Sequence, residues 1–222
     1  MEAERRAMVD RQLTAGGIED ERVLRAMGAV PREEFVPSRL RADAYADGAL
    51  PIGHGQTISQ PWVVAAICSG LELRGGERVL EVGTGSGYSA AVIAALVRPG
   101  GFVRSAELVE GLAKGARATL GRLGFGDVEV LAADGATAAE AGGWDAIAVH
   151  AAAPALPTAL VGGLRPGGRL VIPLREGNAD MLTAFRRVDD GSGTEVSLTR
   201  TRITACRFVP LLGESGFPAE GR

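Results

Sequence analysis

The residue types best suited to chemistry lie in a glycine-rich turn, Gly83-Thr84-Gly85-Ser86-Gly87, between an apolar strand pattern and a helix pattern. Glycine adopts positive φ at no steric cost and lets the backbone approach a ligand closely. The helix that follows begins with backbone N–H groups that have no partner within the helix. The turn therefore indicates a small-molecule site, although such a turn alone is also typical of a purely structural connection.

Three carboxylates narrow the choice of ligand. Glu81 ends the first predicted strand, Glu107 ends the second, and Asp134 follows the third. A dinucleotide site has the spacing G-x-G-x-x-G, whereas this turn has G-x-G-x-G and follows a carboxylate that would repel a pyrophosphate. The first acid suits a cationic amino-acid group, the second suits ribose hydroxyls, and the third suits an adenine amino group. Together they predict S-adenosylmethionine as the cofactor.

These residues need a scaffold in which strand ends meet, and the pattern from Pro61 onward provides one. Strands and helices alternate, which implies right-handed crossovers, a parallel sheet and helices on both faces. The predicted strands are 78–82, 101–106, 128–132, 144–149 and 169–174, and the predicted helices are 62–71, 88–97, 108–123 and 157–164. We therefore predict an α/β fold with a doubly wound, mainly parallel, Rossmann-like sheet.

The N-terminal part of the chain departs from this alternation. Two short helices are predicted there, the second capped by Asp20 and stopped at Val30-Pro31. Residues 35–60 are rich in Gly, Pro, Asp and Ser and are expected to lack regular structure. A stretch of this length without regular structure inside a compact domain often indicates function.

The C-terminal part also departs from it. Residues 181–188 and 195–204 alternate apolar and polar side chains around a loop at 189–193, which predicts a final antiparallel hairpin. No linker-like change of composition interrupts the chain. We therefore expect one domain, 1–222. It would comprise N-terminal helices and a loop (1–60), a cofactor-binding core (61–180) and C-terminal strands with a tail (181–222).

Composition argues against several classes of partner. The chain has 222 residues, a net charge of −3 and a pI near 5.5, which disfavours nucleic acid. No apolar run approaches the ~20 residues of a membrane-spanning helix, and the first residues lack the apolar segment of a secretion signal. Cys68 and Cys206 are far apart and lack metal-ligand spacing. Two reduced thiols, no metal, no membrane partner and a cytoplasmic location are therefore expected.

Five stretches carry a resemblance to a known family. They are 80–88 (LEVGTGSGY), 30–37 (VPREEFVP), 52–61 (IGHGQTISQP), 151–154 (AAAP) and 207–211 (RFVPL). With them the chain resembles the protein-L-isoaspartate O-methyltransferases over nearly its whole length. The stretch 52–61 is the most specific, because no periodic secondary structure requires such a polar loop. The resemblance implies the fold of S-adenosylmethionine-dependent methyltransferases and a monomer.

The resemblance also implies a reaction. The family transfers a methyl group from S-adenosylmethionine to the carboxylate of an isoaspartyl residue in damaged proteins and peptides, and the ester then collapses to a succinimide. An ionised carboxylate is already nucleophilic at neutral pH, so no general base is needed. The resemblance marks Ser59 as catalytic, and we interpret its role as positioning the acceptor. The implied acceptor-binding residues are His54, Thr57, Ile58 and Ser59. The implied cofactor-binding residues are Gln56, Thr57, Glu81, Gly83, Thr84, Gly85, Glu107, Leu108, Asp134 and Gly135.

Other functions remain open at this point. A related O-methyltransferase could act on an aspartate of a modified natural-product peptide, or the chain could be a non-catalytic cofactor-binding protein. A dehydrogenase is disfavoured by the glycine spacing. A serine hydrolase is disfavoured because G-x-S-x-G is absent and the only histidines are His54 and His150. Both histidines depart from the family pattern, which commonly has glutamine at the first position and often threonine at the second. We expect His150 to be packed inside the protein, with an effect on acceptor choice if it faces the site.

Overall fold

The computed structural model describes residues 1–188, 196–214 and 216–217, and the expected loop at 189–193 lies outside them. Its strands are β1 (Leu50–Gly53), β2 (Gln56–Ile58), β3 (Arg78–Val82), β4 (Phe102–Glu107), β5 (Glu129–Ala132), β6 (Trp144–Val149), β7 (Leu164–Glu176), β8 (Ala179–Val188) and β9 (Ser197–Cys206). Its α-helices are α1 (Glu2–Met8), α2 (Glu21–Ala29), α3 (Pro61–Gly70), α4 (Tyr88–Val97), α5 (Glu110–Arg122), α6 (Gly135–Ala139) and α7 (Thr158–Gly163).

Within the described residues, seven strands form one sheet in the order β5-β4-β3-β6-β7-β8-β9. The first five of these are parallel, and β8 and β9 add antiparallel strands at one edge. Successive residues point to opposite faces, so Val79 and Leu80 belong to two different buried apolar clusters. The predicted doubly wound sheet with an antiparallel end is confirmed.

The N-terminal region is more regular than expected. The Asp20 side chain caps α2 by accepting the backbone N–H of Arg22 and Val23 at 2.9 and 3.2 Å, as predicted. The expectation that 35–60 lacks regular structure is wrong, because β1 and β2 pair there as an antiparallel hairpin. A 3-10 helix, Ser38–Asp43, precedes the hairpin, and another covers Arg32–Phe35. These elements have three to six residues, too few for a periodic apolar pattern to be recognisable.

One helix and several boundaries differ from the sequence predictions. Helix α6 was not predicted, because it has only five residues. Strand β7 begins at Leu164, five positions before the predicted start, and its pairing with β6 shifts register between Trp144 and Ala146. Helix α5 begins at Glu110 instead of Leu108. The predicted order of the elements is unaffected.

The topology fixes where a ligand can bind. The chain passes from β3 to β4 on one side, and β6 lies on the other side of β3. At such a reversal the connections leave in opposite directions, and a crevice forms outside the carboxyl ends of the strands. The turn after β3, Glu107 at the end of β4 and His150 after β6 all reach this crevice. No described helix has both the length and the apolar character that crossing a membrane requires.

Candidate active site

A cavity of about 500 Å³ occupies the crevice at the carboxyl ends of the central strands. Its wall combines the turn after β3, the ends of β4 and β5, residues 56–59 in and after β2, and residues 209–212 of the C-terminal tail. Of the cofactor residues predicted from the sequence, all but one line it: Gln56, Thr57, Gly83, Thr84, Gly85, Glu107, Leu108, Asp134 and Gly135. Glu81 is the exception. Within the described residues, no group of three His, Cys, Asp or Glu side chains could hold a metal ion.

The glycine-rich turn forms the floor of this cavity. Gly83 has φ +93°, and a Cβ placed there would come within 3.4 Å of the His150 Cβ. Its backbone N–H bonds to the Ala106 carbonyl at 2.9 Å, which ties the turn to β4. The turn thus presents backbone and little side chain to the cavity.

Glu107 is held rigidly at the end of β4. Its carboxylate accepts the backbone N–H of Gly85 at 2.8 Å and of Val109 at 2.9 Å, and the residue is only 7% exposed. Each carboxylate oxygen can accept more than one hydrogen bond. A fixed carboxylate of this kind can still accept hydrogen bonds from two neighbouring hydroxyls.

Asp134 connects the cavity to the tail. One carboxylate oxygen caps α6 by accepting the Ala136 N–H at 2.7 Å, and the other accepts the Glu214 N–H at 3.1 Å. Gly135 packs so closely on β3 that a Cβ there would overlap the Val82 side chain. The need for glycine at 135 therefore comes from packing as well as from its place on the wall.

Glu81 lies beneath the floor and not on the wall. It is fully buried, and its carboxylate accepts hydrogen bonds from the Ser89 and Ser105 hydroxyls. Burial raises the pKa of Glu81 to about 7, against the opposing effect of the two hydroxyls. The sequence suggested direct contact with a cationic amino-acid group. The structure places this carboxyl behind the turn instead.

A second cavity of about 350 Å³ adjoins the first. The two share Thr57, Ser59, His150 and Val209, so these residues form a common wall. Ile58 lines only the first cavity. The predicted acceptor residue His54 lines neither. It has φ +52° at the exposed tip of the β1–β2 hairpin, where a Cβ on Gly111 would approach its ring to 3.1 Å.

His150 is packed inside the protein, as expected, and it also faces both cavities. Its side chain is 7% exposed, and Nε2 makes no hydrogen bond to any described residue. Burial lowers the pKa of His150 to about 4, so the ring is neutral at physiological pH.

Comparison with known proteins identifies the family. The family model described as Protein-L-isoaspartate(D-aspartate) O-methyltransferase matches residues 3–216. The chain belongs to this family.

Relatives within the isoaspartate methyltransferase family match over nearly the whole of this chain. The chain is 50% identical to protein-L-isoaspartate O-methyltransferase 2 of Marinobacter nauticus, over 96% of this chain and 95% of that protein. It is 45% identical to protein-L-isoaspartate O-methyltransferase 1 of Rhodopseudomonas palustris, over 97% and 85%. A crystal structure from Plasmodium falciparum, described as a candidate member with bound S-adenosyl-L-homocysteine, has a TM-score of 0.79 at 25% identity, covering 94% of this chain and 98% of that one.

Sequence reasoning missed the contribution of the C-terminal tail to this methyltransferase site. Residues 209–212 line the first cavity. The backbone of Ala152 pairs with that of Val209 and Leu211 through two hydrogen bonds of 2.8 Å. Two of the stretches that carried the family resemblance, 151–154 and 207–211, therefore touch each other. Their shared backbone pairing leaves no periodic signal in the sequence.

Proposed function

We propose that this protein transfers a methyl group from S-adenosylmethionine to the carboxylate of L-isoaspartyl residues in damaged proteins and peptides, which initiates repair through a succinimide. The observation that carries the proposal is the common wall of the two cavities. A cofactor in the first cavity and an acceptor in the second would meet across Thr57, Ser59, His150 and Val209. Membership in the isoaspartate methyltransferase family supports the same assignment.

The first cavity fits the cofactor. Glu107 would bind the ribose hydroxyls, Asp134 the adenine amino group, and the backbone of the turn at 83–85 the amino-acid portion. Backbone hydrogen bonds hold the Glu107 carboxylate in place, as binding of the ribose hydroxyls requires. A side chain at Gly83 would crowd the floor of the cavity, and glycine keeps that space open. When bound, S-adenosylmethionine supplies an electrophilic methyl group.

The polar loop within 52–61 would position the nucleophile. The isoaspartyl carboxylate is ionised at neutral pH and needs no deprotonation. The Ser59 hydroxyl makes no hydrogen bond to any described residue, and Ser59 lies on the common wall. We assign to Ser59, with Thr57 and Ile58, the orientation of the acceptor carboxylate toward the first cavity. Fixed orientation and exclusion of water supply most of the rate enhancement in a reaction of this kind.

The oligomeric state, the cellular location and the domain organisation are proposals as well. The net charge of −3 supports the absence of a nucleic-acid partner, and the two free cysteines support a cytoplasmic location. We also propose a monomer, as the family resemblance implies. The single domain with regions 1–60, 61–180 and 181–222 is supported by the continuation of one sheet through β9. His54, at the tip of the β1–β2 hairpin, would contact the acceptor at the edge of the site. The natural-product alternative is not favoured, because relatives that match 95–97% of this chain bear the isoaspartate methyltransferase name.

A matched pair of peptides tests the proposal. The protein is incubated with S-adenosylmethionine labelled in the methyl group and with peptides that differ only in one aspartyl or isoaspartyl residue. Base-labile label on the isoaspartyl peptide alone is the expected result. Label on the aspartyl peptide would favour the natural-product function, and label on neither would favour a binding role.

A further inference from the structure

The stretch 30–37 carried the family resemblance, yet none of it lines either cavity. Its central residue, Arg32, is fully buried at the start of a 3-10 helix. Arginine is rarely buried to this extent unless a carboxylate accompanies it. The surroundings of Arg32 therefore require an explanation.

Arg32 is held by two backbone carbonyls and an aromatic ring. Its Nε donates to the Ala44 carbonyl at 2.7 Å, and its Nη2 donates to the Ser59 carbonyl at 2.8 Å. The guanidinium carbon lies 5.0 Å from the centre of the Tyr88 ring. Ala44 and Ser59 delimit the segment that contains the β1–β2 hairpin. One planar group therefore joins both ends of this segment.

The buried charge of Arg32 does not favour folding, so the free energy of unfolding does not explain why an arginine lies here. No carboxylate oxygen of a described residue lies within 4.0 Å of its nitrogens. Nη1 is buried without a hydrogen-bond partner among the described residues, and burial lowers the pKa of the guanidinium. A buried charge with an unsatisfied donor is costly, and an apolar side chain of similar volume would often serve stability as well or better. What Arg32 provides and an apolar residue cannot is the pair of directed hydrogen bonds.

A second contact docks the same segment on the same stretch. The hydroxyl of Tyr45, which follows Ala44, donates to the buried carboxylate of Glu33, which follows Arg32. Two consecutive residues of 30–37 thus hold two consecutive residues at the start of the hairpin segment.

We propose that Arg32 is a positioning residue that clamps both ends of the segment 44–59 and thereby fixes Ser59 on the wall between the two cavities. The inference rests on the proposed function, in which Ser59 orients the acceptor. Arg32 touches no substrate and acts through the Ser59 backbone. Lysine cannot replace it fully, because a single ammonium group does not present two donors in the fixed fork of a guanidinium.

The decisive variant is Arg32→Lys, compared with Arg122→Lys as the control. Arg122 is exposed and pairs with Glu34 of the same stretch, so the control makes the same chemical change outside the clamp. We expect Arg32→Lys to lower kcat on the isoaspartyl peptide by about 10- to 100-fold, since small displacements of a positioning group have effects of this size. The Kd for S-adenosylhomocysteine, measured by calorimetry, should stay within twofold of wild type.

Hydrogen exchange supplies a readout that does not depend on activity. In Arg32→Lys the backbone amides of 50–58 should exchange faster, while those of β6, which does not contact Arg32, should keep their wild-type rates. Unchanged kcat and unchanged exchange at 50–58 would overturn the proposal. A parallel loss of kcat, cofactor affinity and protection of β6 would also overturn it, because that pattern indicates general loss of structure.

If Arg32→Lys does not fold, Arg32→Met removes both directed hydrogen bonds, while an apolar side chain of similar length fills the buried site. Faster exchange at 50–58 in that variant supports the clamp, and wild-type exchange contradicts it. If the wild-type protein does not methylate isoaspartyl peptides, the proposed function fails, but exchange at 50–58 still decides whether Arg32 holds the segment.

Discussion

Nε2 of His150 lies 3.4 Å from Oε1 of Glu81. Glu81 lies beneath the glycine-rich turn that forms the floor of the first cavity. Both side chains are buried, and both are neutral at pH 6, because burial raises the pKa of Glu81 to about 7 and lowers the pKa of His150 to about 4. Burial in a medium of low dielectric disfavours the charged form of either group. The pair therefore makes stability depend on pH in a way that can be measured.

Glu81→Gln should change the pH dependence of stability. Folded Glu81 remains protonated up to about pH 7, whereas an ordinary glutamate ionises near 4.5. The folded state therefore binds the extra proton between these values, and the Glu81 contribution to stability is lost as pH rises through this window. The loss amounts to about 3 kcal/mol. The variant should thus gain stability relative to wild type between pH 5 and 8, measured by urea unfolding.

His150 serves as the internal check on this experiment. Its folded pKa lies below the ordinary value of 6.5, so its contribution to stability is lost as pH falls from 6.5 toward 4. Both proteins retain His150, so the difference between their curves reports the Glu81 carboxyl together with its contact to His150. Parallel curves from pH 5 to 8 would show that Glu81 is ionised in the folded protein.

Ser59→Ala should lower kcat for the isoaspartyl peptide by about 10- to 100-fold, because the hydroxyl that orients the acceptor is lost. The Kd for S-adenosylhomocysteine should remain within twofold of wild type. Ser38→Ala is the matched control, since Ser38 is exposed and lines neither cavity. Wild-type turnover in Ser59→Ala would refute the positioning role.

Asp134→Asn should weaken the binding of S-adenosylhomocysteine by about tenfold, measured by calorimetry, because one side-chain acceptor is replaced by a donor. Asparagine still caps helices well, so α6 should persist. Asp20→Asn is the control: Asp20 makes the same capping contact on α2 and lines neither cavity. Equal affinities in both variants would exclude Asp134 from adenine recognition.

Gly213→Ala should also weaken cofactor binding by about tenfold. Gly213 has φ +114°, and a Cβ there would collide with the Asp134 carboxylate. The methyl group should push the tail away, break the bond from the Glu214 N–H and open the wall at 209–212. Gly177→Ala is the control, because Gly177 has φ +61° with open space around it. If both variants lose affinity equally, backbone strain and not the tail contact is responsible.

The sequence determined the scaffold and most of the cofactor wall. Alternation of strands and helices is a local pattern, and the carboxyl ends of parallel strands must share one edge. Residues 83–85, Glu107 and Asp134 could therefore be placed together without coordinates, and the cavity includes them all. The short hairpin at 50–58 escaped detection, since three or four residues carry too little periodicity.

Only the tertiary structure decided which polar side chains face the cavities and which lie behind them. Glu81 and Glu107 both end buried strands in the sequence, yet packing puts the first beneath the floor and the second on the wall. Arg32 acts across the chain on Ser59, and the tail reaches Asp134 across 80 positions. Contacts between residues so distant in the chain leave no local pattern, because they arise from how whole elements pack.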